Sequence, residues 1–212
     1  MSDAPIDRVA AYYARKLAEH GPTPAGVDWN SPASQQLRFE RLLHICDRSI
    51  PFTVLDYGCG YGALADVIGP VETMRSYTGY DVSREMIDAA RARVPGAGRF
   101  RFTDRRADLQ PADYALASGI FNVKLDVPDD RWRAYTWDTL DDLASLARRG
   151  FAFNALTSHS DVDRRRTDLF YLDPALMFEC CRQRYSRFVS VLHDYPLWEF
   201  TILVRWSDGA RG

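Results

Sequence analysis

Apolar positions along this chain recur with two periods that alternate. From Asp7 to His20, the residues Val9, Tyr12, Tyr13, Lys16 and Leu17 return on successive turns, which predicts a helix ended by His20-Gly21-Pro22. A Pro- and Gly-rich stretch over 21–30 follows. Ser31 then reads as an N-cap and Pro32 as the first residue of a helix reaching about Arg48, with Leu37, Leu42, Leu43 and Ile45 on its buried stripe. At Pro51 the period changes. Phe52 to Asp56 is a short apolar run leading into Gly58-Cys59-Gly60-Tyr61-Gly62, and a helix over 63–68 follows, giving a strand, a glycine turn and a helix. The next segment repeats that grammar, with a strand over 76–81, Ser83 as N-cap with Met86 behind it, and a helix from Arg84 to Val94 closed by Pro95-Gly96. Further strands are predicted over 99–102, 113–118 and 151–156. A long helix over 129–147 carries Trp132, Tyr135, Leu140, Leu143 and Leu146 on one stripe, and another helix runs over 173–183. Two β-rich runs, 187–193 and 200–206, are separated only by residues 194–199, too few for a crossover helix, so they must be antiparallel neighbours. The fold class is therefore α/β, a three-layer αβα sandwich on a mostly parallel, seven-stranded sheet with an antiparallel last strand. Residues 1–34 form an N-terminal helix and cap segment ahead of the main domain over 35–212.

Composition adds limits. At 212 residues and 46% hydrophobic content, the chain buries roughly 70% of its unfolded surface and needs no staple. Its 27 basic and 29 acidic residues leave a net charge of −2, so no bulk field draws it to nucleic acid or to an anionic membrane, and neither is expected as a partner. All the basic residues but Lys16 and Lys124 are Arg. Cys46, Cys59, Cys180 and Cys181 form no CxxC and no Cys/His set with zinc spacing, which implies no metal and a reducing compartment. Asp3, Asp7 and Arg8 break up the first residues, unlike a signal peptide, and no apolar run reaches membrane-spanning length. A cytoplasmic monomer or homodimer is the expectation.

The turn after the first strand decides the chemistry. Read as Gly-x-Gly-x-x-Ala from Gly58 to Ala63, with Asp81 on the next strand, it satisfies a dinucleotide fingerprint. Asp56 argues the other way, because a carboxylate two residues before the first glycine faces the place where a pyrophosphate would sit. A ligand with cationic groups and no phosphate suits it better. The segments Val54-Leu-Asp-Tyr-Gly-Cys-Gly-Tyr-Gly62 and Gly79-Tyr-Asp-Val-Ser-Arg-Glu-Met-Ile-Asp-Ala-Ala90 resemble the first two motifs of the class I, Rossmann-like S-adenosylmethionine-dependent methyltransferases. The likeness in layout covers about residues 35–206. It implies that Asp56, Gly58, Gly60 and Gly62 face the methionine end of S-adenosyl-L-methionine, that Asp81 accepts from the ribose hydroxyls and that Val82 packs beside the adenine. It also implies an acid near the adenine amine, for which Asp104 is the nearest match. Tyr13, Cys59, Met86, Ser118 and Gly119 complete the expected cofactor contacts.

In open α/β sheets, ligands bind beyond the carboxyl ends of the strands. The residues there are 118–122, 157–161 and 193–195, and the stretch 118–122 lacks the Asn/Asp-Pro-Pro-aromatic sequence of many base-methylating enzymes. A small polar acceptor is expected instead, methylated at oxygen or nitrogen: a sugar, a glycan intermediate or a specialised metabolite. Phe121, Asn122 and Tyr195 are placed around it, with Tyr12 and Trp29 from the N-terminal segment. His159 and His193 are the candidate general bases, each near an acid, Asp161 or Asp194. Arg99, Arg101, Arg105 and Arg106 surround Asp104 and offer a grip for an anion. An NAD(P)-dependent oxidoreductase and a non-catalytic cofactor-binding module on the same fold remain as alternatives.

Overall fold

In a computed structural model, which describes residues 5–94 and 98–206, the helices and strands alternate much as the periodicity predicts. Helix α1 (Pro5–His20) is followed by a short 3-10 turn, and α2 (Pro32–Leu43) opens on Ser31, whose side chain accepts the Ser34 N–H at 3.1 Å. Then come β1 (Phe52–Tyr57), α3 (Ala63–Ile68), β2 (Met74–Tyr80), α4 (Arg84–Arg93), β3 (Phe100–Thr103), β4 (Ala112–Ala117), α5 (Asp129–Leu146) and β5 (Ala147–Thr157). The chain ends with β6 (Tyr171–Leu172), α6 (Pro174–Arg184), β7 (Phe188–Leu192) and β8 (Glu199–Arg205). Ser83 and Asp173 cap α4 and α6 through side-chain oxygens. The Pro95-Gly96 pair expected to close α4 lies outside the described residues.

The sheet has eight strands rather than seven, in the order β3-β2-β1-β4-β5-β8-β7, with β6 off this path. β8 runs antiparallel to both β5 and β7, as the short 194–199 connection requires, and the other pairings are parallel. Strand β6 is the one the periodicity did not predict. At two residues it is too short to show alternation. Leu156 pairs with Glu199 on one side and Tyr171 on the other, so β6 continues the β4 side of β5 beyond the end of β4. Strand β5 also starts four residues earlier than expected. Ala147 pairs with Ala112, and sheet pairing outweighs the turn character of Arg148-Arg149-Gly150. Helix α2 stops at Leu43, about five residues short of the expected end.

Successive residues along each strand feed opposite cores. Leu55, Ala115, Phe151, Phe153 and Ile202 pack with Trp132, Leu140 and Leu143 of α5 and Met177 and Cys181 of α6. Val54, Tyr114, Leu116, Ala152 and Leu203 pack with Leu42 and Leu43 of α2, Leu64 of α3 and Ile87 of α4. This gives the three layers. Strand order reverses between β1 and β4, which opens a crevice at their carboxyl ends.

Candidate active site

A cavity of about 530 Å³ occupies that crevice. Its floor is the glycine turn after β1. Gly58, Gly60 and Gly62 all have positive φ, at 79°, 53° and 79°, a region that residues with a Cβ rarely enter. At Gly58 the demand is also spatial, since a Cβ would lie 2.2 Å from Ile120 Cγ2. The turn is pinned from β2: the Gly58 and Cys59 amides donate to the Tyr80 carbonyl at 2.7 and 2.9 Å. Asp81 bridges it, accepting from the Gly60 amide at 2.9 Å with one oxygen and from the Ser83 amide at 2.9 Å with the other.

Two acids lie buried at this end. Burial raises the Asp81 carboxyl above its ordinary value against the pull of its two backbone donors. Asp56 is pushed up to about 7 by burial, with the charge of Asp81 adding to the rise and the Tyr77 hydroxyl, which donates to it, opposing. No cation among the described residues pairs with either carboxylate.

The opposite wall comes from the loops after β4 and β5 and from the N-terminal segment. Gly119 has φ of 74°, and a Cβ there would lie 2.8 Å from Trp29 Cζ2. Its amide donates to Asn154 Oδ1 at 2.7 Å, and Asn154 Nδ2 reaches Ser118 Oγ at 3.2 Å. A fully buried amide on β5 thus fixes the loop after β4. Asn122 ties that loop to its surroundings, its side chain accepting the Leu156 amide at 3.2 Å and its carbonyl the Phe170 amide at 2.8 Å. Ile6, Val9, Ala10 and Tyr13 of α1 line the cavity from above. Lys16 pairs with Asp28 at 2.9 Å, and the Tyr12 hydroxyl also donates to Asp28, so α1 is tied to the segment that carries Trp29.

Of the residues expected to bind cofactor, Tyr13, Asp56, Gly58, Cys59, Gly60, Asp81, Val82, Met86, Ser118 and Gly119 line this cavity. Gly62 sits one residue further, as the N-cap of α3. Asp104 does not reach the cavity wall. Among the expected acceptor contacts, Trp29 and Asn122 line the cavity, whereas Tyr12, Phe121 and Tyr195 do not. Phe121 is fully buried against Phe153, with its carbonyl taking the Trp132 indole N–H at 2.8 Å. Tyr195 is buried beside Thr201, with 3.0 Å between the two hydroxyl oxygens.

The two histidines lie apart from this wall. His159 and His193 are exposed and stand outside the cavity, their rings 6.0 Å apart. Asp161 lies 3.8 Å from Arg164. The Arg99–Arg106 cluster is also elsewhere. Arg99 and Arg101 donate to backbone carbonyls beside β3, and Arg106 pairs with Asp142.

Sequence reasoning missed Arg38 and Glu199, and it placed Ser160 only as one of the residues 157–161 at the strand ends. Arg38 and Glu199, 7% and 3% exposed, form a two-pronged pair at 2.7 and 2.5 Å on the cavity wall. They are separated by 161 residues, and Arg38 sits on an ordinary-looking polar helix face, so no local signal announces the pair. Asn154 did carry a signal, as a lone amide between Phe153 and Ala155 in a buried strand.

Comparison with known proteins gives a consistent family. The profile of a methyltransferase domain matches residues 55–150. A Mycobacterium tuberculosis protein, Rv1506c, named as a methyltransferase, is 48% identical over 163 residues, which are 77% of this chain and 98% of the relative. Magnesium protoporphyrin IX methyltransferase from Synechocystis, crystallised with S-adenosylmethionine, superposes with a TM-score of 0.66 at 16% identity, covering 95% of this chain and 97% of that one. The N-methyltransferase NodS from Bradyrhizobium japonicum, with bound S-adenosylhomocysteine, does so with a TM-score of 0.65 at 14% identity, covering 97% of this chain and 100% of that one. At these identities the two structures speak for the fold.

Proposed function

Because the chain belongs to the class I, Rossmann-like S-adenosylmethionine-dependent methyltransferases, we propose that it methylates an oxygen or nitrogen of a small polar acceptor: a sugar, a glycan intermediate or a specialised metabolite. The observation behind this reading is the single cavity that runs from the glycine turn to the loops after β4 and β5, under the roof of α1. It brings a cofactor surface and an acceptor surface into one enclosed space. The oxidoreductase alternative falls with the family assignment.

The cofactor fits the residues present. Bare backbone at Gly58 and Gly60 allows close approach, and two buried carboxylates without a cationic partner suit a ligand that brings an ammonium and a sulfonium. In this reading Asp56 and the glycines face the methionine end, Asp81 takes the ribose hydroxyls, and Val82, 39% exposed on the cavity wall, packs on the adenine. When bound, S-adenosylmethionine supplies an electrophilic methyl on a good leaving group. The protein's share is placement, an effect worth up to ~7–11 kcal/mol in ideal cases, and exclusion of water by α1. With both histidines off the cavity wall, positioning carries the catalysis in place of a histidine base.

No helix among the described residues is long and apolar enough to cross a membrane. Calorimetric titration tests the cofactor assignment: S-adenosylhomocysteine is expected to bind and NAD not to. NAD binding without S-adenosylhomocysteine binding would overturn it. Transfer of radiolabelled methyl into the polar small-molecule fraction of an extract tests the acceptor class, and label confined to nucleic acid or lipid would refute it.

A further inference from the structure

Among the described residues, three buried side-chain polar atoms have no partner, and two of them, Arg38 Nη1 and Ser160 Oγ, belong to residues on the cavity wall at its acceptor end, whereas the third, Arg41 Nε, does not. Arg38 is 7% and Ser160 8% exposed, and both residues line the cavity. The arrangement around Arg38 accounts for every other part of its head group. Nε and Nη2 are committed to the two oxygens of Glu199 at 2.7 and 2.5 Å, and the Trp29 ring lies over the guanidinium carbon at 3.9 Å. One edge of the guanidinium remains, fixed in direction and without an acceptor. Leaving such a donor buried is costly unless a ligand completes it.

Resting on the methyltransferase reading above, we propose that Arg38 Nη1 and Ser160 Oγ form the acceptor-recognition subsite, and that it takes a neutral hydroxyl-bearing ring of the sugar type. Charge selects the neutral group. Glu199 already cancels Arg38, and the other guanidinium groups on the wall, Arg164 and Arg166, face Asp161 and Asp168. Asp28, Asp56 and Asp81 add further acid to the same cavity, and only Asp28 has a cation beside it, Lys16. A carboxylate or phosphate placed at Nη1 would therefore sit next to Glu199, with no unpaired arginine or lysine among the described residues of the cavity wall to receive it. A hydroxyl oxygen accepts from Nη1 without that repulsion, and a hydroxyl can also exchange either sense of hydrogen bond with Ser160. Trp198, half-exposed on the cavity wall, and Tyr171 supply aromatic surface for the C–H face of a ring.

The experiment is saturation-transfer NMR on the protein saturated with S-adenosylhomocysteine. The probes are the methyl pyranosides of glucose, mannose and galactose and the corresponding methyl uronates. At least one neutral pyranoside is expected to bind, more tightly than its uronate. Ser160→Ala, which leaves the ion pair intact, and the neutral double replacement Arg38→Gln with Glu199→Gln should each weaken that probe, the latter by about tenfold or more. Affinity for S-adenosylhomocysteine should stay within about twofold in both variants, which also reports that they are folded. The proposal is overturned if no neutral pyranoside binds, if a uronate binds more tightly, or if both variants bind the probe as the wild type does. Failure of S-adenosylhomocysteine to bind the wild type would instead overturn the cofactor assignment.

Discussion

Asp56→Asn separates stability from cofactor binding. The Asp56 carboxyl is 2% exposed, takes a hydrogen bond from Tyr77, and is pushed from 3.8 to about 7 chiefly by burial. A rise of that size corresponds to about 4 kcal/mol of cost for holding the ionised form inside the fold. Asparagine keeps the shape and an oxygen for the Tyr77 hydroxyl but does not ionise. Below pH 3.8 the carboxyl is protonated in both the folded and unfolded chain, and the cost is absent. Between 3.8 and about 7 only the folded form keeps its proton, so wild-type stability falls relative to the variant as pH rises, and above 7 the full cost is present. Urea unfolding at a series of pH values should therefore find the variant more stable by about 2–4 kcal/mol at pH 8, with the gap closing toward pH 4. The same variant should bind S-adenosylhomocysteine about tenfold or more weakly, because it has lost a charge-assisted partner for the ligand ammonium. A gap that does not change with pH, or affinity equal to wild type, would refute the reasoning.

Two further substitutions probe the walls of the cavity. Gly58→Ala adds a Cβ 2.2 Å from Ile120 Cγ2 at a φ of 79°. It should cost about 1–2 kcal/mol in backbone strain alone and weaken S-adenosylhomocysteine binding. Adding Ile120→Ala should recover part of the loss, and a thermal melt of the single variant matching wild type would contradict the geometry. Replacing both His159 and His193 by Ala should leave cofactor affinity and methyl incorporation within about twofold of wild type, since both rings lie on the surface away from the cavity. A large loss of incorporation with cofactor binding intact would return a histidine to the mechanism.

The histidines show where reading strand ends from sequence stops working. The rule that residues following a strand face the crevice is a statement about where the chain leaves the sheet, not about which side chain points inward. After β5 the chain turns at once: the Ser160 amide returns to the Thr157 carbonyl at 3.2 Å, and the His159 amide goes to Thr157 Oγ1 at 3.2 Å. That turn leaves His159 exposed and puts Ser160 on the cavity wall. After β7 it is Pro196 to Glu199, not His193, that reaches the cavity. The glycine-turn end of the cavity was legible because its parts are local, with the glycines, Asp56 and Asp81 falling within one β-α-β stretch whose spacing survives in the sequence. The far wall of the cavity depends on Arg38 meeting Glu199 across 161 positions and on β6, two residues long, and neither leaves a periodic trace.

The two ends of the cavity are incomplete in opposite senses, and this bears on how the site discriminates. At the glycine turn, the buried carboxylates have no cation beside them among the described residues, so the free protein holds Asp56 near its titration point at about 7 and gains when a cationic ligand arrives. At the far wall a guanidinium has its charge matched and one donor edge unmatched, so the gain there comes from a neutral oxygen. Cofactor affinity should therefore fall as pH drops below about 7, while acceptor recognition, resting on an arginine and a hydroxyl, should not change over that range. The pH dependence of the two binding steps, measured separately, distinguishes a cavity built this way from one in which a single shared charge governs both.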